Sequence, residues 1–289
     1  MKTLHNVFQI DAFTNQPFKG NSAGVVYSDE LNDMEMQLIA REFNLSETAF
    51  ISNSDKADFN LRWFTPKVEV KLCGHATIAS MHYLVERGII KRFSEVTFNT
   101  LSGILTCKSK NDLYYLYLPI PKIELFEGNR KEILEALSIK SESINTDFPL
   151  FLADQSYLFI YVKSLEELGK LKPDFISLLK LTKEKKGFDA VTVFTTETFE
   201  KDNSAHSRFY APAFGIDEDP VTGSANGPLL MVLMKLGLIS NKKGKSEFIF
   251  EQGDFLGREG RIIVAYSPKE NKFSIAGNAV TILKGELNF

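Results

Sequence analysis

Cysteine is scarce in this chain: only two, Cys73 and Cys107, occur among its 289 residues. Two cysteines do not make the framework of several disulfides that holds small secreted domains together. In the sequence they also lack the neighbouring ligands of a zinc site. We therefore expect no metal centre, and we expect a reducing, cytoplasmic compartment.

Long apolar runs and an excess of one charge are missing too. No apolar run approaches the roughly 18 residues that cross a bilayer, and residues 1–5 lead directly into an alternating strand pattern rather than a secretory signal. The formal net charge is −3 and the pI is about 5.9, which argues against broad binding to nucleic acid or anionic membranes. The sequence therefore predicts neither a nucleic-acid partner nor a membrane partner.

Glycine motifs that bind phosphate are also absent. The chain has no P-loop, no dinucleotide-binding glycine fingerprint and no histidine cluster with metal-ligand spacing. The stretch 20–24 contains glycines, but it precedes an extended segment rather than a helix, so phosphate binding is not expected there. These absences leave no sequence signal for a nucleotide or a metal.

What the chain does contain is one pattern in two copies. In each copy an arginine is followed by two aromatic residues and a proline, and a glycine further along opens an apolar run that ends at a second glycine. The arginine, the proline and the two glycines are Arg62, Pro66, Gly74 and Gly88 in the first copy and Arg208, Pro212, Gly223 and Gly237 in the second. Both runs span 14 residues from glycine to glycine. This duplication predicts two related halves.

The length of the chain fits about two domains. The segment 119–121, Pro-Ile-Pro, is the best candidate linker between them. The predicted halves are therefore residues 1–121 and residues 122–289, and the last strand, near 279–289, could close the first half.

Strand patterns outnumber helical patterns, which predicts an α+β fold. One long helix is expected in each half, at 75–87 and at 224–236, and a shorter helix is expected at 165–171. A further helix opens at the capping box of Asn32 and Glu35. Small residues in the first turns of the helix at 75–87 suit a helix that is threaded through surrounding strands.

The repeated glycines Gly74 and Gly223 are the main sequence evidence for a binding site. Each one opens a predicted helix, and a helix N-terminus presents unpaired backbone N–H groups and the positive end of the helix dipole. Such ends favour anions. We therefore expect a cleft between the halves that holds one anionic small molecule from both sides.

Two side chains near the helix predicted at 75–87 could transfer protons. Glu47 follows Ser46 at the start of an apolar strand, where apolar groups would raise the pKa of its carboxyl toward the range of a general acid and base; an exposed glutamate at a strand start is the alternative. His75 directly follows Gly74, where it could bind a substrate oxygen and the helix dipole would keep it neutral; a structural histidine is the alternative. The other histidines lack this context and are expected to be structural or surface residues: His5, His82 and His206.

The second half offers Asp219 and Ser224. Asp219 lies among three acids before the helix, and Pro220 restrains its backbone. Its carboxylate could point into the cleft or simply favour the helix dipole. Ser224 is the equivalent of His75 and offers a hydroxyl and an N–H, either to a ligand or as a helix cap.

Cys73 could act as a thiol base, because a helix N-terminus lowers the pKa of a thiol. A two-base racemase would need a second thiol in the other half, and residues 219–224 contain none. Cys107 lies in a strand pattern. A buried structural role for Cys73 is therefore favoured.

Taken together, these residues resemble the phenazine-biosynthesis (PhzF-like) isomerase family. The motifs that carry the resemblance follow one another along almost the whole chain: FKGN at 18–21, SETAF at 46–50, LCGHAT at 72–77, EDPVTGSA at 218–225, QG at 252–253, GR at 257–258 and GNAV at 277–280. Each motif alone is weak evidence for the family, but the complete set is highly specific for it.

The resemblance implies a diaminopimelate epimerase-like fold, in which two pseudo-symmetric halves each wrap a β-barrel-like sheet around a central helix. It implies that Glu47 carries the proton, with His75, Asp219 and Ser224 as supporting catalytic residues. It places the substrate against Asn21, Ser46, Gly74, His75, Gly223 and Ser224. It also implies a small carboxylate-bearing substrate (a dihydro-hydroxyanthranilate in the phenazine enzyme), no cofactor, and a homodimer.

The leading hypothesis is thus a cofactor-independent isomerase that moves a proton between carbons of a small carboxylate-bearing substrate, for which a cyclic dihydroaromatic acid is one candidate. One alternative is an amino-acid epimerase or racemase with two bases. The other is a metabolite-binding protein that has kept the site and lost catalysis.

Overall fold

The computed structural model describes residues 2–145, 147–154, 156–183, 187–239 and 246–289. Within these residues strands outnumber helices, which confirms the predicted α+β class. The chain divides into two compact units, Met1–Pro119 with Pro268–Phe289 and Ile120–Ser267. None of the helices among the described residues is both long enough and apolar enough to cross a membrane.

The first unit contains two helices, α1 (Asp33–Phe43) and α2 (Gly74–Glu86). Its strands are β1 (Thr3–Ala12), β2 (Asn21–Tyr27), β3 (Glu47–Asn53), β4 (Phe59–Phe64), β5 (Glu69–Val70), β6 (Glu95–Thr100), β7 (Gly103–Lys110), β8 (Leu113–Leu118), β17 (Lys272–Gly277) and β18 (Ala279–Asn288). They pair in the order β18-β1-β2-β3-β4-β6-β7-β8-β17, with the short β5 on β4.

Among its described residues, the second unit contains four α-helices, α3 (Arg130–Ala136), α4 (Leu165–Gly169), α5 (Phe175–Lys183) and α6 (Gly223–Lys235). Its strands are β9 (Ile123–Leu125), β10 (Phe151–Ala153), β11 (Tyr157–Tyr161), β12 (Ala190–Thr195), β13 (Ala205–Ala211), β14 (Ile216–Asp219), β15 (Glu247–Gln252) and β16 (Gly260–Ser267). They pair in the order β9-β10-β11-β12-β13-β15-β16, with the short β14 on β13.

The same series of strand directions occurs in both units. From β1 to β7 the successive pairs are antiparallel, parallel, antiparallel, parallel and antiparallel. From β10 to β16 the series is identical. The duplication seen in the sequence is therefore a duplication of topology.

One long helix is enclosed by strands in each unit. Ten of the 13 residues of α2 are buried, and the helix contacts β1, β2, β3, β8 and β18. Nine of the 13 residues of α6 are buried, and it contacts β9, β11 and β16. Burial on every side explains why both helices are apolar almost all round rather than amphipathic. A sheet around a central helix is the architecture that the resemblance implied.

The two central helices end in the same way. Gly88 and Gly237 both have φ of +69°, the left-handed conformation that favours glycine at a helix end. The residue after each glycine donates its N–H to the carbonyl five positions back, over 3.0 Å in both cases, from Ile89 to Leu84 and from Leu238 to Leu233. The shared spacing of 14 residues thus corresponds to two helices of the same length with the same type of C-terminal cap.

We expect Gly88→Ala and Gly237→Ala to destabilise the protein by about 1 kcal/mol each, because alanine is strained at positive φ. An added Cβ would meet no atom within 4 Å at either site, so the cost is that of the backbone alone. Urea unfolding of both variants would test this. Unequal effects, or a gain of stability in either variant, would contradict the shared geometry.

The repeated arginines also have matching partners. Arg62 donates to both carboxylate oxygens of Glu69, over 2.7 and 2.8 Å. Arg208 donates to both oxygens of Glu218, over 2.8 and 2.7 Å. Each pair ties a long strand to the short strand that leads toward a central helix, β4 to β5 and β13 to β14, and so positions the start of that helix.

Two helices of the second unit were not predicted from the sequence, α3 and α5. Both contribute buried residues to an apolar cluster with the strands, among them Ile133, Leu134 and Leu178. The helix predicted at 165–171 is present as the shorter α4. The capping box that opens α1 is present as predicted: Asn32 accepts from the backbone of Glu35, and Glu35 accepts from the backbone of Asn32.

Candidate active site

Three elements of the first unit meet at one cluster of polar side chains. Asn21 begins β2, Glu47 begins β3, and His75 is the second residue of α2. Because β2 and β3 are parallel neighbours, with Ala23 opposite Glu47, the two strands start at the same edge of the sheet. The N-terminus of α2 meets this edge. We call the cluster the first half-site: Asn21, Ser46, Glu47, Cys73, Gly74 and His75.

A chain of hydrogen bonds orients the imidazole of His75. Ser46 Oγ donates to Asn21 Oδ1 over 3.4 Å, and Asn21 Nδ2 donates to His75 Nδ1 over 3.4 Å. The hydrogen of the neutral imidazole is therefore on Nε2. This nitrogen lies 3.3 Å from Ser46 Oγ and 3.4 Å from Glu47 Oε2. His75 thus presents an N–H toward the carboxylate of Glu47.

Burial decides the charge of His75. The residue is 5% exposed, and burial lowers the pKa of its imidazole to about 3. The sequence also predicted a neutral imidazole, but with the helix dipole as the cause. At neutral pH His75 is therefore a hydrogen-bond donor rather than a cation.

Glu47 does not extend into solvent. Its side chain is 14% exposed, which excludes the alternative of an exposed glutamate at a strand start. Its carboxylate is close to a neutral N–H and to the first turn of α2, where backbone N–H groups have no partner within the helix. The carboxylate can therefore exchange a proton beside a site that favours an anion.

Cys73 is buried, as expected, but it also contacts the half-site. It precedes α2 as the N-terminal cap residue, and its Sγ lies 3.4 Å from Nδ1 and 4.0 Å from Nε2 of His75. The matching cap residue of α6 is Thr222. A thiol therefore occurs at the start of one central helix and a hydroxyl at the start of the other.

A second polar cluster surrounds the start of α6 in the second unit. Asp219, the last residue of β14, is 5% exposed, and its carboxylate accepts a hydrogen bond from the Thr222 hydroxyl. Gln252 donates to the main-chain oxygen of Asp219 over 2.8 Å and to Thr222 Oγ1 over 3.1 Å. We call this cluster the second half-site: Asp219, Thr222, Gly223, Ser224, Asn226 and Gln252.

Two amides of the second half-site were missed as functional residues. Asn226 Nδ2 donates to Gln252 Oε1 over 2.6 Å, and both residues are almost completely buried. Asn226 Oδ1 accepts from Ser207 Oγ over 3.0 Å. The available signal was an asparagine inside an otherwise apolar helix, where a buried amide needs partners.

Gly253 lets Gln252 reach the second half-site. Its φ is +91°, and a Cβ there would lie 2.3 Å from the carbonyl oxygen of Arg258 and 2.7 Å from that of Pro220. The backbone after Gln252 therefore passes against the backbone after Asp219. The glycine of the QG motif at 252–253 is therefore required because any side chain there would clash with the neighbouring backbone.

Ser224 has a neighbour that the sequence did not indicate. The hydroxyl of Tyr157, at the start of β11, lies 3.4 Å from Ser224 Oγ. The ring of Tyr157 packs edge-on against Phe209 at 5.3 Å between centroids. This packing restrains the tyrosine hydroxyl beside the first turn of α6.

The structure groups the predicted site residues into two sets. Those brought together in the first unit are Asn21, Ser46, Glu47, Gly74 and His75. Those brought together in the second unit are Asp219, Gly223 and Ser224. Each set lies at the N-terminus of a central helix, and the cleft expected between the halves stays a prediction.

Comparisons with known proteins place these features in one family. Residues 10–285 match the family model described as phenazine biosynthesis-like protein. An uncharacterized isomerase of Clostridium acetobutylicum is 40% identical, over 98% of each chain. The crystal structure of a PhzF-family phenazine biosynthesis protein from Bacillus anthracis has a TM-score of 0.89 at 29% identity and 100% coverage of both chains. A hydroxyproline epimerase from Agrobacterium vitis, at 14% identity and a TM-score of 0.63, has the same fold.

Proposed function

Because this chain belongs to the phenazine biosynthesis-like family of isomerases, we propose that it moves a proton between carbons of a small carboxylate-bearing substrate, with Glu47 as the general acid and base. The observation that supports this most directly is the 3.4 Å contact between Glu47 and the neutral His75 at the start of α2. A base, a hydrogen-bond donor and an anion-binding helix end then lie side by side.

The substrate carboxylate binds at the start of α2 in this proposal. The backbone N–H groups of Gly74 and His75 are in the first turn, so they have no carbonyl partner within the helix. They can donate to a carboxylate, and the helix dipole adds a favourable charge interaction. This places the carbon next to the carboxylate near the Glu47 side chain.

Glu47 then takes a proton from the carbon next to the activated system. The electron pair left by the C–H bond spreads toward the carboxylate, where the helix N–H groups stabilise the developing charge. The carboxyl of Glu47 returns the proton to another carbon, and the double bond shifts with it. Atoms and charge balance without a cofactor, since the base and the donors all belong to the chain.

His75 assists as a neutral donor. Its Nε2–H can stabilise Glu47 as a carboxylate before the transfer and can turn to a substrate oxygen afterwards. A neutral imidazole adds no cationic charge that would hold Glu47 permanently ionised. The carboxyl can therefore alternate between its two protonation states during one reaction.

The second half-site supplies the supporting polar groups, Asp219 and Ser224, as the resemblance implies. The hydroxyl of Thr222 holds the carboxylate of Asp219, and Tyr157 lies beside Ser224. The N–H groups of Gly223 and Ser224 are in the first turn of α6, so they have no carbonyl partner within that helix. A dihydroaromatic carboxylate is the substrate class that this donor set and the resemblance favour, and a homodimer is the assembly expected.

Deuterium exchange tests the proposed function. The protein is incubated in D2O with a panel of cyclohexadiene and aromatic carboxylates, and each compound is followed by NMR and mass spectrometry. We expect deuterium at a ring carbon together with a shifted double bond. Inversion at one carbon of an amino acid without a double-bond shift would favour the epimerase alternative instead. Thermal stabilisation by a compound that shows no exchange would favour the metabolite-binding alternative.

A further inference from the structure

A cavity of about 250 Å³ lies beside the C-terminal end of α2. Its walls come from that helix, from the segment that follows it and from the turn between β7 and β8, and its lining includes Val85, Arg92, Phe93, Ser109, Asp112 and Tyr114. Val85 follows His75 by ten residues, which is about 15 Å along a helix. The cavity is therefore separate from the first half-site at the other end of α2.

A buried hydroxyl lines this cavity without a partner. Ser109, in β7, is 4% exposed, and its Oγ makes no hydrogen bond to any group in the part of the chain that the structure describes. Buried polar groups in folded proteins are nearly always hydrogen-bonded, so an exception calls for an explanation. Because Ser109 lines the cavity, a polar ligand there would supply the missing partner.

A chain of hydrogen bonds makes the Tyr114 oxygen an acceptor for any further partner. Burial lowers the pKa of His82, so its imidazole is neutral at pH 7. Thr281 Oγ1 donates to Glu86 Oε2 over 2.7 Å, so it accepts from His82 Nε2 over 3.1 Å. The lone pair of Nδ1 then accepts from the Tyr114 hydroxyl over 3.1 Å. Tyr114 has only oxygen lone pairs left, which favours a ligand that donates hydrogen bonds.

Opposite charges lie beside this hydroxyl. Burial and the Asp112 charge raise the pKa of Tyr114 to about 12, against the lowering effect of Arg92, so both charged groups act on it. Arg92 and Asp112 lie 3.5 Å apart, and their side chains are 74% and 72% exposed. An exposed ion pair of this kind is weak, so a ligand that carries both charges can replace it. Lys110 adds a second cation to the lining.

Apolar surface completes the lining. It comes from Val85 and from the ring of Phe93, which is exposed. The backbone of Phe93 has φ of +65°, a left-handed conformation that bulky residues rarely adopt. Strained residues of this kind cluster at ligand sites. The cavity thus offers cations, an anion, a buried hydroxyl and an apolar wall.

We propose that this cavity binds one free α-amino acid with an apolar side chain. The amino-acid carboxylate binds Arg92 and Lys110, and Ser109 donates to it from below. The ammonium group binds Asp112 and the Tyr114 oxygen. An α-amino acid carries both charges on one carbon, which suits an ion pair only 3.5 Å apart. A volume just under the usual lower limit of about 300 Å³ for drug-sized ligands suits a metabolite of this size.

This binding does not rest on the proposed function, because no residue of either half-site takes part. A groove of about 400 Å³ between α3 and α5 shows the contrast. Its charged lining is Glu132, Glu135, Asp174 and Lys180. Asp174 already accepts from Ser177 Oγ over 2.6 Å and caps α5, and none of the groove's lining residues has a buried side-chain atom without a partner. That groove therefore gives no sign of a ligand.

Isothermal titration calorimetry of the full chain with L-leucine, L-valine and L-phenylalanine tests the proposal. We expect at least one of them to bind with a dissociation constant below about 1 mM. For leucine, N-acetyl-L-leucine lacks the ammonium group and 3-methylbutylamine lacks the carboxylate. Each analogue should bind at least about tenfold more weakly, because it loses charge-assisted hydrogen bonds. Absence of binding by all three amino acids, or equal affinity for leucine and either analogue, would overturn the proposal.

Two exposed charges locate the bound amino acid. Arg92→Gln and Asp112→Asn should each weaken binding at least about fivefold, since each removes one charged partner. Lys272→Gln is the matched control, because Lys272 forms an exposed ion pair with Glu270 over 3.1 Å and is not part of the lining. It should leave the affinity unchanged. Binding that Arg92→Gln and Asp112→Asn leave unchanged would be binding at another site, and the proposal would fail.

Ser109→Ala separates binding from folding. The variant removes a buried hydroxyl that has no partner in the described structure, so the midpoint of urea unfolding should not fall. The affinity for the amino acid should fall about threefold or more, because the carboxylate loses a donor. A lower unfolding midpoint with unchanged affinity would show that the hydroxyl serves the fold alone and does not contact a ligand.

Discussion

Glu47→Gln should lower the rate of deuterium exchange by about 10²–10⁴-fold, the usual contribution of a positioned general acid and base. The amide has the same shape as the carboxyl, and its oxygen can still face the Nε2–H of His75. It cannot take a proton from carbon. Binding of a carboxylate at the start of α2 should persist, because the backbone N–H groups there are unchanged. NMR of the exchanging carbon measures the rate, and thermal shift measures the binding.

Glu95→Gln is the matched control for this substitution. Glu95 also begins a strand, β6, but its side chain is exposed. It represents the situation that Glu47 would have if it were an ordinary glutamate at a strand start. We expect unchanged exchange in this variant. Exchange that stays within about threefold of the unchanged protein in Glu47→Gln would remove Glu47 from the mechanism.

Local signals in the sequence predicted the parts of the fold that depend on neighbouring residues. The capping box of Asn32 and Glu35 needs only four consecutive positions, so α1 could be placed from sequence. The central helices could be placed from their glycines, Gly74 and Gly223, although both begin one residue earlier than expected. Helix α5 was missed because its buried face is defined by strands that are distant in the sequence.

The sequence predicted most residues of the candidate site, but it could not predict how their side chains are arranged. Glu47 and His75 are 28 positions apart, and their contact depends on the pairing of β3 with β2 and on α2 beginning at the same edge of the sheet. Cys73 and His75 are only two positions apart, and the contact between their side chains depends on side-chain conformation, which the sequence pattern does not specify. Gln252 is brought to Asp219 by pairing between β13 and β15, so the sequence indicated it only as part of a motif.

The second large effect concerns a buried cluster around Glu251, whose side chains belong to neither half-site. Glu251 is completely buried in β15 and accepts four hydrogen bonds. Its Oε1 accepts from the Glu200 N–H and from Asn203 Nδ2, and its Oε2 accepts from the Phe199 N–H and from His206 Nδ1. His206 is therefore a structural residue, one of the two roles that the sequence predicted for it.

Glu251→Gln should destabilise the protein by about 2–4 kcal/mol at pH 7. Whichever way the new amide is placed, its NH2 group faces two donors that previously bonded to an oxygen. Those buried donors then lose their partner, and the charge-assisted bonds to the other oxygen weaken. The midpoint of urea unfolding, followed by circular dichroism, measures the loss.

The pH dependence of this loss follows from the pKa of Glu251. Burial alone would raise it, but the hydrogen bonds from His206, Asn203 and two backbone N–H groups outweigh burial and lower it from 4.5 to about 2. Because the folded pKa is below the unfolded one, the carboxylate stabilises the fold fully above pH 4.5. That contribution is lost as the pH falls toward 2. The stability difference between Glu251→Gln and the unchanged protein should therefore be constant near neutrality and shrink in acid.

Glu247→Gln gives the matched control, because Glu247 begins the same strand and is exposed. Its replacement should change the midpoint little at any pH, as is usual for a surface substitution. If the two variants lose equal stability, the four hydrogen bonds of Glu251 do not stabilise the fold as argued. A difference between Glu251→Gln and the unchanged protein that grows in acid would show that the folded pKa of Glu251 lies above its unfolded value, and the carboxylate would then destabilise the second unit.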